Sequence, residues 1–125
     1  AYLKNPKLQG YIEGVKSFDG PGFADGFWQG DEDVSKITNY IPKDSIVGRV
    51  LDHKEQTKVM DAQGSGLVQH DTLMWSVDVK DFNYCDALTK ESDDLLEYVN
   101  KLLMDRPLEE KENYLIVWKF IRLRI

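Results

Sequence analysis

A single cysteine, Cys85, stands in the 125-residue chain, so no intrachain disulfide can form, and counting excludes a zinc site built on several cysteines. A fold that does not rely on oxidative stapling points to a cytoplasmic or otherwise intracellular setting. No apolar run approaches the length that spans a bilayer, and the first ten residues lack the apolar core of a signal peptide. Basic charge is also scarce. Sixteen Lys and Arg against 22 Asp and Glu leave a formal net charge of −6, which opposes generic binding to nucleic acid or to an anionic membrane surface. The glycines form neither a dinucleotide fingerprint nor a phosphate loop, and Gly-x-Ser-x-Gly does not occur. No cofactor motif is present, so none is expected.

What is there suits one folded domain spanning residues 1–125. The chain is near the usual domain size, and hydrophobic and charged fractions of 42% and 30% argue against disorder. Turn chemistry punctuates it. Asp19-Gly20-Pro21-Gly22 is the strongest turn signal, and aromatic or β-branched stretches on either side predict a hairpin of residues 8–18 with 23–28. Acidic residues 31–33 ahead of Val34 and Ile37 suit a short helical turn. Residues 45–51 are β-branched and predict a strand that runs on toward Met60. Beyond Gly64-Ser65-Gly66, Leu73, Trp75, Val77 and Val79 alternate with polar neighbours and predict its hairpin partner.

Thr89 or Ser92 then caps an amphipathic helix whose apolar stripe is Leu95, Leu96, Val99, Leu102 and Leu103, with Pro107 beyond it. Residues 114–125 read as a final strand, apolar on both faces in its first half. The expected fold is α+β, in the order β-β-(short α)-β-β-α-β. It is a curved, largely antiparallel sheet of about five strands with one main amphipathic helix packed on one face.

Candidate chemistry is sparse. Asp52-His53 and His70-Asp71 are the histidine neighbourhoods, but chain neighbours on a strand point to opposite faces, so adjacency does not make a base and its orienter. Their unequal distances from Ser65 also make His53 and His70 poor cross-strand partners. Cys85 reads as a small buried hydrophobe beside Asp86, which disfavours a thiolate. Asp19, Asp25, Asp31, Glu32 and Asp33 miss the spacing of a calcium loop, so no metal is expected. Arg122 and Arg124, with Trp118 and Phe120, are too thin a basic stripe for nucleic acid. Residues 27–35 resemble a segment of the prenyl-binding, immunoglobulin-like lipid carriers. The helix-then-strand ending does not suit an all-β sandwich, and no function is carried over.

Three functions follow as expectations. The first is a non-enzymatic protein-binding or regulatory domain whose partner docks on Phe23, Phe27, Trp28, Asp31, Glu32 and Asp33. The second is a small-ligand pocket or modest enzyme between helix and sheet, lined by Trp75, Trp118 and Phe120 with His70 or Tyr84 as its polar group. The third is an acidic inhibitor that mimics nucleic acid through the carboxylates of residues 31–33, 91–94 and 109–112.

Overall fold

The computed structural model describes residues 2–24 and 26–104. A 3-10 turn at Tyr2–Lys4 leads into a one-turn helix, α1 (Pro6–Gln9), which Asn5 caps and Pro6 opens. Three strands follow, β1 (Val15–Phe18), β2 (Ile37–Pro42) and β3 (Gln56–Met60), and then the long helix α2 (Lys90–Met104). The strands form one sheet in the order β1-β2-β3, and both pairings are parallel, with Val15 opposite Ile37 and Thr38 opposite Gln56. Parallel neighbours need crossovers of about a dozen residues or more, and residues 19–36 and 43–55 supply them.

The expected antiparallel, five-stranded sheet is therefore corrected: among the described residues the sheet has three strands, all parallel. The glycine turn after Phe18 is real, but it does not reverse the chain onto a neighbouring strand. β1 pairs instead with β2, and Phe23 reaches only an isolated antiparallel bridge with Asp52. The segment expected to be a short helix ends in β2 from Ile37 onward. Residues 45–51 hold a 3-10 turn, Val47–Arg49, and the strand begins later, at Gln56. The alternating segment 73–79 is no strand either. Asp71 caps a 3-10 turn, Thr72–Met74, by accepting the Leu73 N–H at 2.9 Å, and only Trp75 and Val77 make isolated bridges, to Ala62 and Phe82. Of its apolar positions only Trp75 is buried, while Leu73, Val77 and Val79 are open to solvent. The predicted strand over residues 114–125 lies outside the described residues.

β2 is central, and Asn39, Tyr40, Ile41 and Pro42 are all buried, as expected where both faces of a parallel strand are covered. Period two divides those side chains between the faces. On one face Tyr40, Met60, Ala62 and Trp75 form the core cluster, with Phe82 packed against it. Phe18 stacks on Tyr40 at 5.6 Å between ring centroids, and Trp75 meets Phe82 edge-on at 5.7 Å. Asn39 and Ile41 face the opposite side, toward the loop that follows β2. The Asn39 amide donates to the Gly48 carbonyl at 3.4 Å, and Ile41 lies directly under Gly48.

The helix α2 starts where its sequence directs. The Thr89 hydroxyl accepts the Ser92 N–H at 3.2 Å, and Glu91 and Asp93 lie in the positive first turn. That turn is fastened to the loop after β2 by polar contacts. Thr89 Oγ1 donates to Asp44 Oδ1 at 2.5 Å, Ser92 Oγ donates to the Ser45 carbonyl at 2.5 Å, and Arg49 reaches Ser92 Oγ and Asp93 at 2.8 Å each. Along the expected apolar stripe, Leu96 and Val99 are half-buried and Leu95 is exposed. Among the described residues, the contacts that anchor the helix are these polar ones of its N-terminal turn.

Candidate acid–base site

The loops that leave the C-terminal ends of parallel strands converge, and this is where open α/β sheets carry their ligands. Asp19 is the first residue beyond β1. Its φ of +50° places it in the left-handed region, which costs a side-chain-bearing residue roughly 1–2 kcal/mol. The bond from its N–H to the Tyr40 carbonyl, at 2.7 Å, helps to hold it there. Backbone strain of this kind is found where surrounding contacts over-determine a functional position.

The Asp19 side chain is 1% exposed and fully engaged. Its Oδ1 accepts the Ser45 hydroxyl at 2.5 Å and the Gly48 N–H at 3.0 Å, and its Oδ2 lies 2.7 Å from His70 Nδ1. Three donors on a buried carboxylate offset its desolvation and leave it no rotational freedom. Gly48 is required for this approach. A Cβ there would stand 2.3 Å from Asp19 Oδ1 and 2.6 Å from Ile41 Cγ2.

His70 ends the 3-10 turn Gly66–His70 that follows β3. A carboxylate facing Nδ1 favours the neutral tautomer that donates from Nδ1 and carries its lone pair on Nε2. Among the described residues nothing hydrogen-bonds Nε2, and the side chain is 29% exposed. His53 is arranged differently. Its Nδ1 lies 2.6 Å from Glu55 and its Nε2 3.2 Å from the Val50 carbonyl, so both ring nitrogens are occupied. His70 is thus held at Nδ1 by a buried carboxylate, with no described residue bonded to its Nε2, whereas His53 ties down its own loop.

Of the other candidate pocket residues, Trp75 and Tyr84 are placed apart from the His70 ring. Trp75 is a core residue whose indole N–H donates to the Gln69 carbonyl at 2.7 Å. Tyr84 lies at a separate shallow cavity of about 350 Å³, lined by Thr57, Lys58, Val59, Tyr84, Cys85 and Asp86. The Tyr84 hydroxyl donates to Asp81 at 2.9 Å, and that bond raises its pKa. Burial, helped by Asp61, pushes the Cys85 thiol up, as expected of an inert cysteine. Trp118 and Phe120 lie outside the described residues.

The candidate interface is a small aromatic cluster. Phe23 and Phe27 stack at 3.9 Å, Trp28 meets both edge-on at 5.2 Å, and Lys4 and Lys54 lie over Phe27 and Trp28. Phe23 is exposed, and Phe27 and Trp28 are half-buried. The neighbouring acids serve the loop itself. Glu32 accepts from Lys4 and from the Gln29 and Gly30 N–H groups, which holds its carboxyl down at about 2. Asp33 is lowered by Ser35, while Asp31 stays exposed. Among the described residues no cluster of three or more His, Cys, Asp or Glu can hold a metal ion, and no helix is long and apolar enough to cross a membrane.

Sequence reasoning missed Asp19, Ser45, Gly48 and Gln69 as site residues. Asp19 and Gly48 read as turn and strand residues. The signal that finds them is position: Asp19 is the first residue beyond β1, and Ser45, Gly48 and Gln69 lie in the loops that follow β2 and β3, a pattern visible only once the strands are known to be parallel. No curated protein and no solved structure matches the chain. A family model does match, over residues 1–118, and the chain belongs to the Mbeg1-like family.

Proposed function

We propose that this domain performs general acid–base chemistry on a hydrolysable, ester-type bond, with His70 as the base and Asp19 as its positioning residue. The observation that carries the reading is the 2.7 Å contact between His70 Nδ1 and the buried Asp19 carboxylate, combined with an Nε2 that no described residue hydrogen-bonds. In the reaction, Nε2 takes the proton from an attacking water or hydroxyl as its oxygen bonds to the carbonyl carbon. The Asp19 carboxylate steadies the imidazolium that results. Nε2–H then returns the proton to the leaving oxygen as the carbon–oxygen bond breaks. Ser45 is not the attacking group in this scheme, because its buried hydroxyl donates to Asp19 and not to the imidazole.

Exposed Leu67, Val68, Leu73 and Met74 flank His70 in sequence, so the substrate is expected to carry an apolar group beside the scissile bond. The test is hydrolysis of p-nitrophenyl esters of increasing chain length by the native protein and by His70→Gln and Asp19→Asn. Each substitution should lower turnover on the order of 10²–10⁴-fold. No turnover by the native protein, or turnover untouched by His70→Gln, would refute the reading.

Partner binding through Phe23, Phe27 and Trp28 is a second reading, favoured by the stacked, part-exposed aromatic cluster. Phe23→Ser should then abolish capture of a partner by immobilised protein. A partner retained equally by native and variant protein would remove this reading.

A further inference from the structure

We infer that Gln69, the residue before the base, is the positioning residue that locks the His70 imidazole against Asp19. This inference rests on the acid–base reading of His70, but its test does not depend on turnover. Gln69 is 0% exposed, a rare place for a polar amide unless its hydrogen bonds are met.

They are met from three directions. The two protons of its Nε2 are shared among three acceptors, the Gly64 carbonyl at 2.9 Å, the Ala62 carbonyl at 3.3 Å and Asp44 Oδ2 at 3.3 Å. Its Oε1 accepts the Asp44 N–H at 3.0 Å. Its own carbonyl accepts the Trp75 indole N–H at 2.7 Å. One side chain thus joins the loop after β3, which carries His70, to the loop after β2, which carries Ser45 and Gly48.

Those two residues are the ones that hold Asp19 Oδ1. Base and orienter come from segments 51 positions apart, and Gln69 spans 25 positions to reach the loop that steadies the orienter. A separation of the loops by an ångström would open the 2.7 Å contact and leave the imidazole free to rotate. The backbone on the other side of His70 is steadied as well, since the Asp71 N–H bonds to the Val68 carbonyl at 3.2 Å. What Gln69 adds is the register between the two loops.

The test is Gln69→Met, which keeps the length of the side chain and removes its amide. The readout is the imidazole Nδ1–H resonance of His70, shifted far downfield by its bond to a carboxylate and assigned by its loss in His70→Gln. In Gln69→Met this resonance should vanish or broaden through exchange while the backbone amide spectrum stays dispersed. Where esterase activity is measurable, kcat should fall at least tenfold with KM unchanged. A downfield resonance that persists in folded Gln69→Met overturns the inference, whether or not the protein hydrolyses esters.

Should Gln69→Met fail to fold, Trp75→Phe keeps an aromatic ring in the core, at the cost of some ring volume, and deletes the bond to the Gln69 carbonyl. It should speed exchange of the same proton, and an unchanged exchange rate there would equally overturn the inference. Conversely, a lost resonance in Gln69→Met alongside no esterase activity in the native protein would uphold the clamp and refute the hydrolytic reading.

Discussion

Gly48→Ala is a small change with a large expected effect. The added methyl would stand 2.3 Å from Asp19 Oδ1, 2.6 Å from Ile41 Cγ2 and 3.1 Å from Ser45 Oγ, all closer than ordinary van der Waals contact. None of the three neighbours has room to yield, since Asp19, Ile41 and Ser45 are each 1–2% exposed. Overpacking of a tight interior costs about 1–3 kcal/mol. Displacing the carboxylate also lengthens its 3.0 Å bond from the Gly48 N–H, and a hydrogen bond to a charged group contributes about 1.5–3 kcal/mol. Partial relaxation makes the two costs overlap, so the expected loss is about 2–4 kcal/mol.

Urea unfolding followed by tryptophan fluorescence reads this loss as a lower midpoint at unchanged slope. Gly10→Ala is the control, because a Cβ there meets only the Lys7 carbonyl, at 3.8 Å, and the backbone is already right-handed helical. It should change stability by less than about 0.5 kcal/mol. A Gly48→Ala protein within about 0.5 kcal/mol of native would refute the close approach of Gly48 to the carboxylate and the geometry built on it.

Two further outcomes follow from the same contacts. Lys43 and then the Ser76 hydroxyl lower the Asp61 carboxyl, and Lys4 holds Glu32 at about 2. Both groups bind protons more readily unfolded than folded, so their contribution is present above the ordinary carboxylate range near pH 4 and is lost as pH falls through the lowered folded values. The urea midpoint should therefore drop between about pH 4 and pH 2, and less so in Asp61→Asn. An unchanged midpoint over that range would contradict both contacts. Thr89→Ala removes the cap on the Ser92 N–H and the bond to Asp44, and should cost about 0.5–2 kcal/mol by urea unfolding, with lower helical ellipticity. Native stability in that variant would place the anchoring of α2 elsewhere.

The part of the fold legible in the sequence was the part fixed by local chemistry. Thr89, the acids of the first turn and the spacing of Leu95, Leu96 and Val99 announce α2 because capping and helical period act over a few residues. Strand pairing is not local. β1 and β3 are short and half-exposed; the burial of β1 alternates but its sequence, Val-Lys-Ser-Phe, does not alternate apolar with polar, and β3 alternates in neither respect. Residues 73–79 do alternate, yet Asp71 caps a 3-10 turn there and one residue, Trp75, takes the only core position. The Asp19 turn was legible as a turn but not as the end of a parallel strand, and so the sheet was read with the wrong direction.

The same non-locality hid the site. His70 was visible as a titratable group, but its partner lies 51 positions away, and the neighbouring Asp71 faces its own turn. No spacing rule joins Asp19 to His70. Parallel pairing does so, because it brings the C-terminal ends of β1 and β3 to the same end of one sheet. Gln69 was silent for a related reason, since an amide in a polar stretch gives no sign that it will be buried.

Which nitrogen of His70 carries the proton decides whether the ring can serve as the proposed base. A long-range proton–nitrogen correlation spectrum of the imidazoles, at a pH where the ring is neutral, measures this directly for His53 and His70. The expected result is an Nδ1-protonated His70 with a free Nε2, a pattern that changes in Asp19→Asn while His53 stays as it was. An Nε2-protonated His70, or one indifferent to Asp19→Asn, would contradict the oriented base at the centre of the structure.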